Sequence, residues 1–186
     1  MQALDAIRHR RSIKSFTESA VPQQQIETLL ELAVVGPNFR MSQPWRFLVL
    51  GPEARGAYGR ALGSRKAKKL EDPAARDAMV ERNVSEAVAV PAMIGVVQQL
   101  NENLEIREDD YAAIWMGIEN LLIGALELGL GTHVRTGAVL GDAALREPFG
   151  VGEGERLVAL IQLGVPEATP EPKPRASAAE RTTVLP

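Results

Sequence analysis

From Asp109 to Gly129 one run of the chain is helical in its spacing and apolar on nearly every side. Ile114, Ile118, Leu121, Leu122, Ala125 and Leu128 recur at core intervals with few charges between them. A helix of that kind needs cover from all directions, so it is either the central element of the fold or is buried against a second subunit. Gly129-Leu130-Gly131 stops the run, since glycine adopts the left-handed closure of a helix end at little cost. The chain's 186 residues suit one domain or two tightly joined halves, enough to bury a real core.

The remaining elements follow from periodicity and punctuation. A short helix over residues 2 to 9 carries Leu4 and Ile7 on one face and runs into Arg8-His9-Arg10-Arg11. Pro22 opens a second helix, in which Ile26, Leu29, Leu30 and Ala33 repeat until Gly36-Pro37. Trp45 to Leu50 reads as a strand between Pro44 and Gly51-Pro52. Glu53 to Glu86 turns to Ala, Lys, Arg and Glu, predicting one or two exposed surface helices broken near Gly63-Ser64 and Asp72-Pro73. Ala87 to Val97, the longest charge-free apolar stretch, is far short of the roughly 20 residues that cross a bilayer. It reads as buried strand, and Ala92 to Gln98 is the second apolar strand. Thr132 to Thr136 predicts a strand, Asp142 to Phe149 a short helix, and Leu157 to Leu163 a buried strand. Beyond Gly164 the chain is polar and punctuated by Pro166, Pro170, Pro172, Pro174 and Pro186, with no core of its own. Strands and helices alternate without the regularity of a doubly wound parallel sheet, so the expected class is α+β.

Much chemistry is excluded. Without cysteine there are no disulfides, thiolate metal sites or cysteine nucleophiles, and a reducing cytoplasm is the natural compartment. The N-terminus shows no export signal. Two histidines, His9 and His133, stand far apart with no HExxH spacing, so no protein-held metal is expected. GxSxG, Walker and complete GxGxxG patterns are missing. No nucleophile or acid–base set stands out, which leaves reactivity to a bound cofactor. A formal charge of −3 offers no global field for nucleic acid or an anionic membrane, and no reader motif is present. A nucleic-acid module using Arg8 to Lys14 is therefore the weakest of the readings.

Two segments carry more. Arg10-Arg11-Ser12-Ile13-Lys14 places two guanidiniums, a hydroxyl and an ammonium on one turn after a helix, the donors that suit a phosphate monoester. The same basic residues also suit a helix C-terminus facing water. Gly36-Pro37-Asn38-Phe39-Arg40-Met41-Ser42-Gln43-Pro44-Trp45-Arg46-Phe47 joins a helix to a strand, and Trp45 alone could be a core aromatic. Together the segments resemble the nitroreductase family of flavin enzymes, in which an Arg-Arg-Ser-like motif precedes a Pro-Ser-x-x-Asn-x-Gln-Pro-Trp-like one. Asn120 to Thr132 resembles the family's long helix and glycine-rich turn. Leu163-Gly164-Val165-Pro166 resembles its last core strand, and Lys173-Pro174-Arg175 its C-terminal basic pair. With Val134-Arg135-Thr136-Gly137 after the turn, the likeness spans nearly the whole chain and is closest to the short nitroreductase-like members.

The resemblance implies one domain over residues 1–186, a central, mainly antiparallel sheet flanked by helices, and the long helix at a homodimer seam. The tail, 165–186, would reach the partner subunit, although composition alone leaves it loosely docked. It implies FMN, reduced by NADH or NADPH, passing hydride in ping-pong fashion to a nitroaromatic, quinone or enone. The flavin carries the reactivity, with no catalytic side chain required. Arg10, Arg11 and Ser12, with Lys173 or Arg175, would hold the phosphate. Lys14 would stand near the N1/C2 edge, and Val134, Arg135, Thr136 and Gly137 at the N5/O4 side. Asn38, Phe39 and Gln43 would come from the partner. Phe39 and Met41 depart from the polar residues common in that loop and read equally as pocket wall or core packing. Arg40, Arg46, Arg65, Lys66, Lys68 and Lys69 could each meet a nucleotide 2′-phosphate. A flavin-sequestering protein without catalysis is the rival reading on the same fold.

Overall fold

A computed structural model describes residues 2–186. Four strands form one antiparallel sheet in the order β1-β2-β4-β3, with β1 Trp45–Val49, β2 Ala92–Gln99, β3 Gly131–Arg135 and β4 Glu155–Gly164. Among the described residues five α-helices accompany it: α1 Ala3–His9, α2 Gln23–Val34, α3 Pro52–Ala67, α4 Pro73–Ala89 and α5 Leu104–Glu127. Because side chains alternate across a sheet, β2 and β4 feed two cores. Ile94, Val96 and Ile161 pack with Leu29 of α2 and with Ile114, Ile118 and Leu121 of α5. Met93, Val97 and Leu160 pack on the opposite face with Tyr58 of α3, Leu145 and Phe149. No helix among the described residues is long and apolar enough to cross a membrane.

The expected elements are present, with differences at their boundaries. α5 starts at Leu104, because Asn103 accepts the Glu105 and Ile106 amides at 2.9 and 3.4 Å; its first turns are too charged to show apolar spacing. Gly129 closes it at φ +73°. Gly63 does not break a helix. It lies inside α3, where a Cβ would come within 2.7 Å of Val80 Cα in α4, so it is a point of close helix approach. The break falls after Ala67, and Asp72 caps α4 through the Ala74 and Ala75 amides. The α3–α4 pair is also less superficial than its composition suggests, since Tyr58, Ala61 and Ala87 are buried. Ala87 to Ala89 finish α4, and β2 begins only after Pro91. Residues 142–149 form no α-helix: short 3-10 turns at Ala138–Gly141 and Ala143–Leu145 replace it, with Pro148 unable to continue a helix.

The segment after α1 positions the site. The Ile13 amide donates to Thr132 O at 2.8 Å, and Ser12 bridges Thr132 in parallel, docking the segment against the free edge of β3. Phe16 bridges Pro166 beyond β4. Ile13 is buried, and a Cβ on Gly131 would stand 2.5 Å from its Cγ1, so only glycine admits it.

Candidate functional site

Extended backbone alternates its side chains, so burying Ile13 turns Ser12 and Lys14 outward. They open onto two adjoining cavities that share Lys14 and Ser15. The first, about 680 Å³, lies between residues 7–15 and the tail; Arg10, Arg11, Ser12, Lys14, Lys173 and Arg175 all line it. Six residues selected from the sequence thus converge, although the two segments lie at opposite ends of the chain. Arg11 donates to Arg8 O and Arg10 O at 2.7 and 2.9 Å, while its Nε is buried without a hydrogen-bond partner. Arg10 Nε stands 3.6 Å from Glu119 Oε1. A buried donor lacking an acceptor, in a cavity rich in cations, fits a phosphate group.

The second cavity, about 630 Å³, is walled by α3, α4, β3 and β4. Gly59 and Gly63 let α3 touch the α4 backbone, which brings Lys66 Nζ within 2.7 Å of Asn83 Oδ1. Asn83, itself buried, donates to Met79 O at 2.7 Å. Arg135 Nε donates to the Tyr58 hydroxyl at 3.1 Å, and His133 Nδ1 lies 3.2 Å from Gln162 Oε1. Burial first, then the charges of Arg135 and Lys14, hold the His133 imidazole below its ordinary value, against the hydrogen bond to Gln162 Oε1. Tyr58, Asn83, His133 and Gln162 escaped the sequence reading as site residues, and Lys66 entered it only as a candidate cation for a nucleotide 2′-phosphate. Glycines at 56, 59 and 63 along one helix were the available signal of close packing there.

Other selected residues lie elsewhere. Val134 packs against the α2–α5 core, and Thr136 and Gly137 line neither cavity. Gly137 has φ +106° with open space where a Cβ would be, so the chain can pass close to a ligand there. Asn38, Phe39 and Gln43 belong to a separate loop between α2 and β1. Arg40, Met41 and Gln43 have φ of 62°, 51° and 46°, an unusual left-handed cluster without glycine. Asn38 accepts the Gln43 amide at 2.7 Å and donates to Ser42 Oγ at 3.0 Å, and Ser42 donates to the buried Asp110. The loop thereby turns Phe39 and Met41 outward, 62% and 71% exposed, which rules out core packing within this chain. Of the candidate 2′-phosphate cations, Arg46 is engaged by Glu155 at 2.8 and 2.6 Å and by Gly150 O, and Lys66 by Asn83. No group of three or more metal-binding side chains converges among the described residues.

These features match a known class. The profile of the nitroreductase family matches residues 7–165, and the chain belongs to that family. It is 36% identical to "Putative NAD(P)H nitroreductase YfhC" of Bacillus subtilis over 181 residues, covering 97% of this chain and 93% of the relative. The nitroreductase-like family protein of Bacillus cereus superposes with a TM-score of 0.87 at 25% identity, over 100% of this chain and 96% of that one. The FMN and NADPH-dependent nitroreductase NfnB of Sphigopyxis sp. strain HMH shares the fold, with a TM-score of 0.78 at 18% identity over the whole of both chains.

Proposed function

We propose that the protein is an FMN-dependent oxidoreductase that passes hydride from NADH or NADPH to an electron-poor acceptor (a nitroaromatic, quinone or enone) by a ping-pong route. The carrying observation is the pair of adjoining cavities joined at Lys14, one cationic with the orphaned Arg11 Nε, the other edged with amide, hydroxyl and imidazole groups. Arg10, Arg11, Ser12, Lys173 and Arg175 would hold the phosphate by charge-assisted bonds. Lys14 at the junction would favour negative charge on the ring's N1/C2 edge, and the Lys66–Asn83 pair adds donors along the second cavity. The backbone at Val134, Arg135, Thr136 and Gly137 would take the N5/O4 side, where Gly137 leaves room. The flavin, when bound, supplies reversible hydride acceptance; the protein binds, orients and charges its surroundings.

The proposed assembly is a homodimer in the cytoplasm. Its support is the apolar surface on α2 and the following loop, where Val35, Phe39 and Met41 stand exposed, with Met116 exposed on α5. Asn38, Phe39 and Gln43 would then wall the second subunit's flavin. The test is the visible spectrum of purified protein with FMN, followed by anaerobic NADH or NADPH and then an acceptor. Flavin bands that bleach with a nucleotide and return with the acceptor are expected. Flavin that binds but never cycles supports the sequestering alternative, and failure to bind FMN refutes the reading.

A further inference from the structure

His133 is placed to do more than fill the cavity wall. It sits mid-strand on β3 with its ring half-buried, and the Gln162 carbonyl oxygen beside Nδ1 can only accept. Nδ1 therefore carries the ring proton, and Nε2 keeps a free lone pair. Charged groups face this cavity from every side: Lys14 from the edge segment, Arg135 from β3, Lys66 from α3, Glu86 from α4 and Glu167 from the tail. Tyr58, Asn83 and Gln162 add neutral groups. Among the described lining residues His133 is the one imidazole, the side chain type whose charge changes nearest to neutral pH.

The surrounding cations also explain its resting state. Arg135 and Lys14 disfavour an imidazolium, and burial adds to them. Negative charge arriving in the cavity would reverse that balance. A hydride brings two electrons and one proton, a net charge of −1, whereas an acceptor reduced by two electrons leaves with two protons. One further proton per turnover must therefore come from solvent.

Resting on the reading that FMN occupies this cavity, we propose that His133 Nε2 binds that proton when the site takes up two electrons and releases it when they leave. On loading, the donor's C4–H bond breaks and its hydride passes to the flavin, so the nicotinamide is oxidised and the flavin reduced, while a solvent proton adds to the Nε2 lone pair and forms one N–H bond. On discharge, the acceptor is reduced by the hydride, the N–H bond breaks, and the proton completes the acceptor's reduction. His133 is thus a proton store that keeps the cavity's charge nearly constant.

The protein has two histidines, which makes a direct test practical. Imidazole NMR titrations of the FMN-loaded chain would be run oxidised and anaerobically reduced. His9, exposed with Nδ1 against Asp5 O, serves as reference and is assigned with His9→Gln. The expected result is a proton affinity at His133 at least about tenfold higher after reduction, one pH step in its titration, with His9 unmoved. In parallel, with NADH or NADPH as the anaerobic reductant, His133→Gln should lower indicator-dye proton uptake near neutral pH from about one in wild type toward none per two electrons. Unchanged titration of His133 in protein that binds and reduces FMN overturns this proposal alone. Failure to bind FMN overturns the flavin reading and this proposal with it.

Discussion

The contact between α3 and α4 allows two glycines one turn apart to be set against each other. At Gly59 a Cβ would lie 2.5 Å from Asn83 O and 2.6 Å from Val84 Cα, where ordinary contact begins at 3.4 Å, a shortfall of about 0.9 Å. The obstructing atoms are backbone and cannot rotate aside, so Gly59→Ala must push the helices apart. Overpacking of that kind costs about 1–3 kcal/mol, and alanine's better helix propensity returns about 1 kcal/mol. The net expectation is a loss of up to about 2 kcal/mol, or a Tm lowered by up to roughly 8 °C for a chain of this size. Gly56→Ala meets only Val88 and Val84 side-chain atoms at 3.7 and 3.9 Å. It should gain about 1 kcal/mol from propensity and raise Tm by roughly 2–4 °C. Urea and thermal unfolding of the two variants beside wild type give both numbers. Because Asn83 holds Lys66, Gly59→Ala should also weaken FMN binding while Gly56→Ala leaves it unchanged. If both alanines shift stability in the same direction by the same amount, the close-approach argument is wrong.

Other expectations concern the cavities and the loop. Arg10→Ala with Ser12→Ala should weaken FMN binding by at least about tenfold, since each charge-assisted bond contributes about 1.5–3 kcal/mol, with circular dichroism little changed; wild-type occupancy by flavin fluorescence titration would refute the phosphate site. Glu155→Gln should cost about 1 kcal/mol at pH 7. Hydrogen bonding from Arg46 holds the Glu155 carboxyl below its ordinary 4.5, so this stabilisation is present above 4.5 and fades as pH falls through the lowered value. Urea midpoints of wild type and variant should accordingly converge in acid. His133 is held below 6.5, so unfolded chains take its proton first, and stability should fall as pH drops below 6.5; His133→Gln should flatten that part of the profile. Ser42→Ala removes the tie between the loop and buried Asp110, and tryptic cleavage after exposed Arg40 should accelerate; an unchanged rate would show the loop is held otherwise.

Much of this was legible in the chain because it rests on local rules. α2, β1, β2, α5 and β4 declare themselves through apolar spacing and through glycine or proline at their ends. The residues proposed to hold the phosphate were legible as donors, and their convergence came only through likeness to a family, since nothing local brings Lys173 to Ser12. The second cavity was hidden for a different reason. Lys66 and Asn83 look like ordinary residues of exposed helices, and their meeting depends on Gly59 and Gly63 removing side chains at a crossing that has no sequence periodicity of its own. The φ values at Arg40, Met41 and Gln43 were equally unreadable, because bulky residues adopt them only under tertiary restraint from Ser42 and Asp110.

The cationic cavity has one wall from the segment following α1 and the other from residues beyond the final strand, while both hydrophobic cores are complete by Gly164. On the proposed reading that this cavity holds the flavin phosphate, folding competence and cofactor capture are separately inherited properties. A chain nicked or shortened after β4 would pass any quality check that senses exposed core, accumulate normally, and remain colourless. By the same token, substitutions in residues 168–175 could retune flavin retention from one lineage to the next without endangering the fold that carries it.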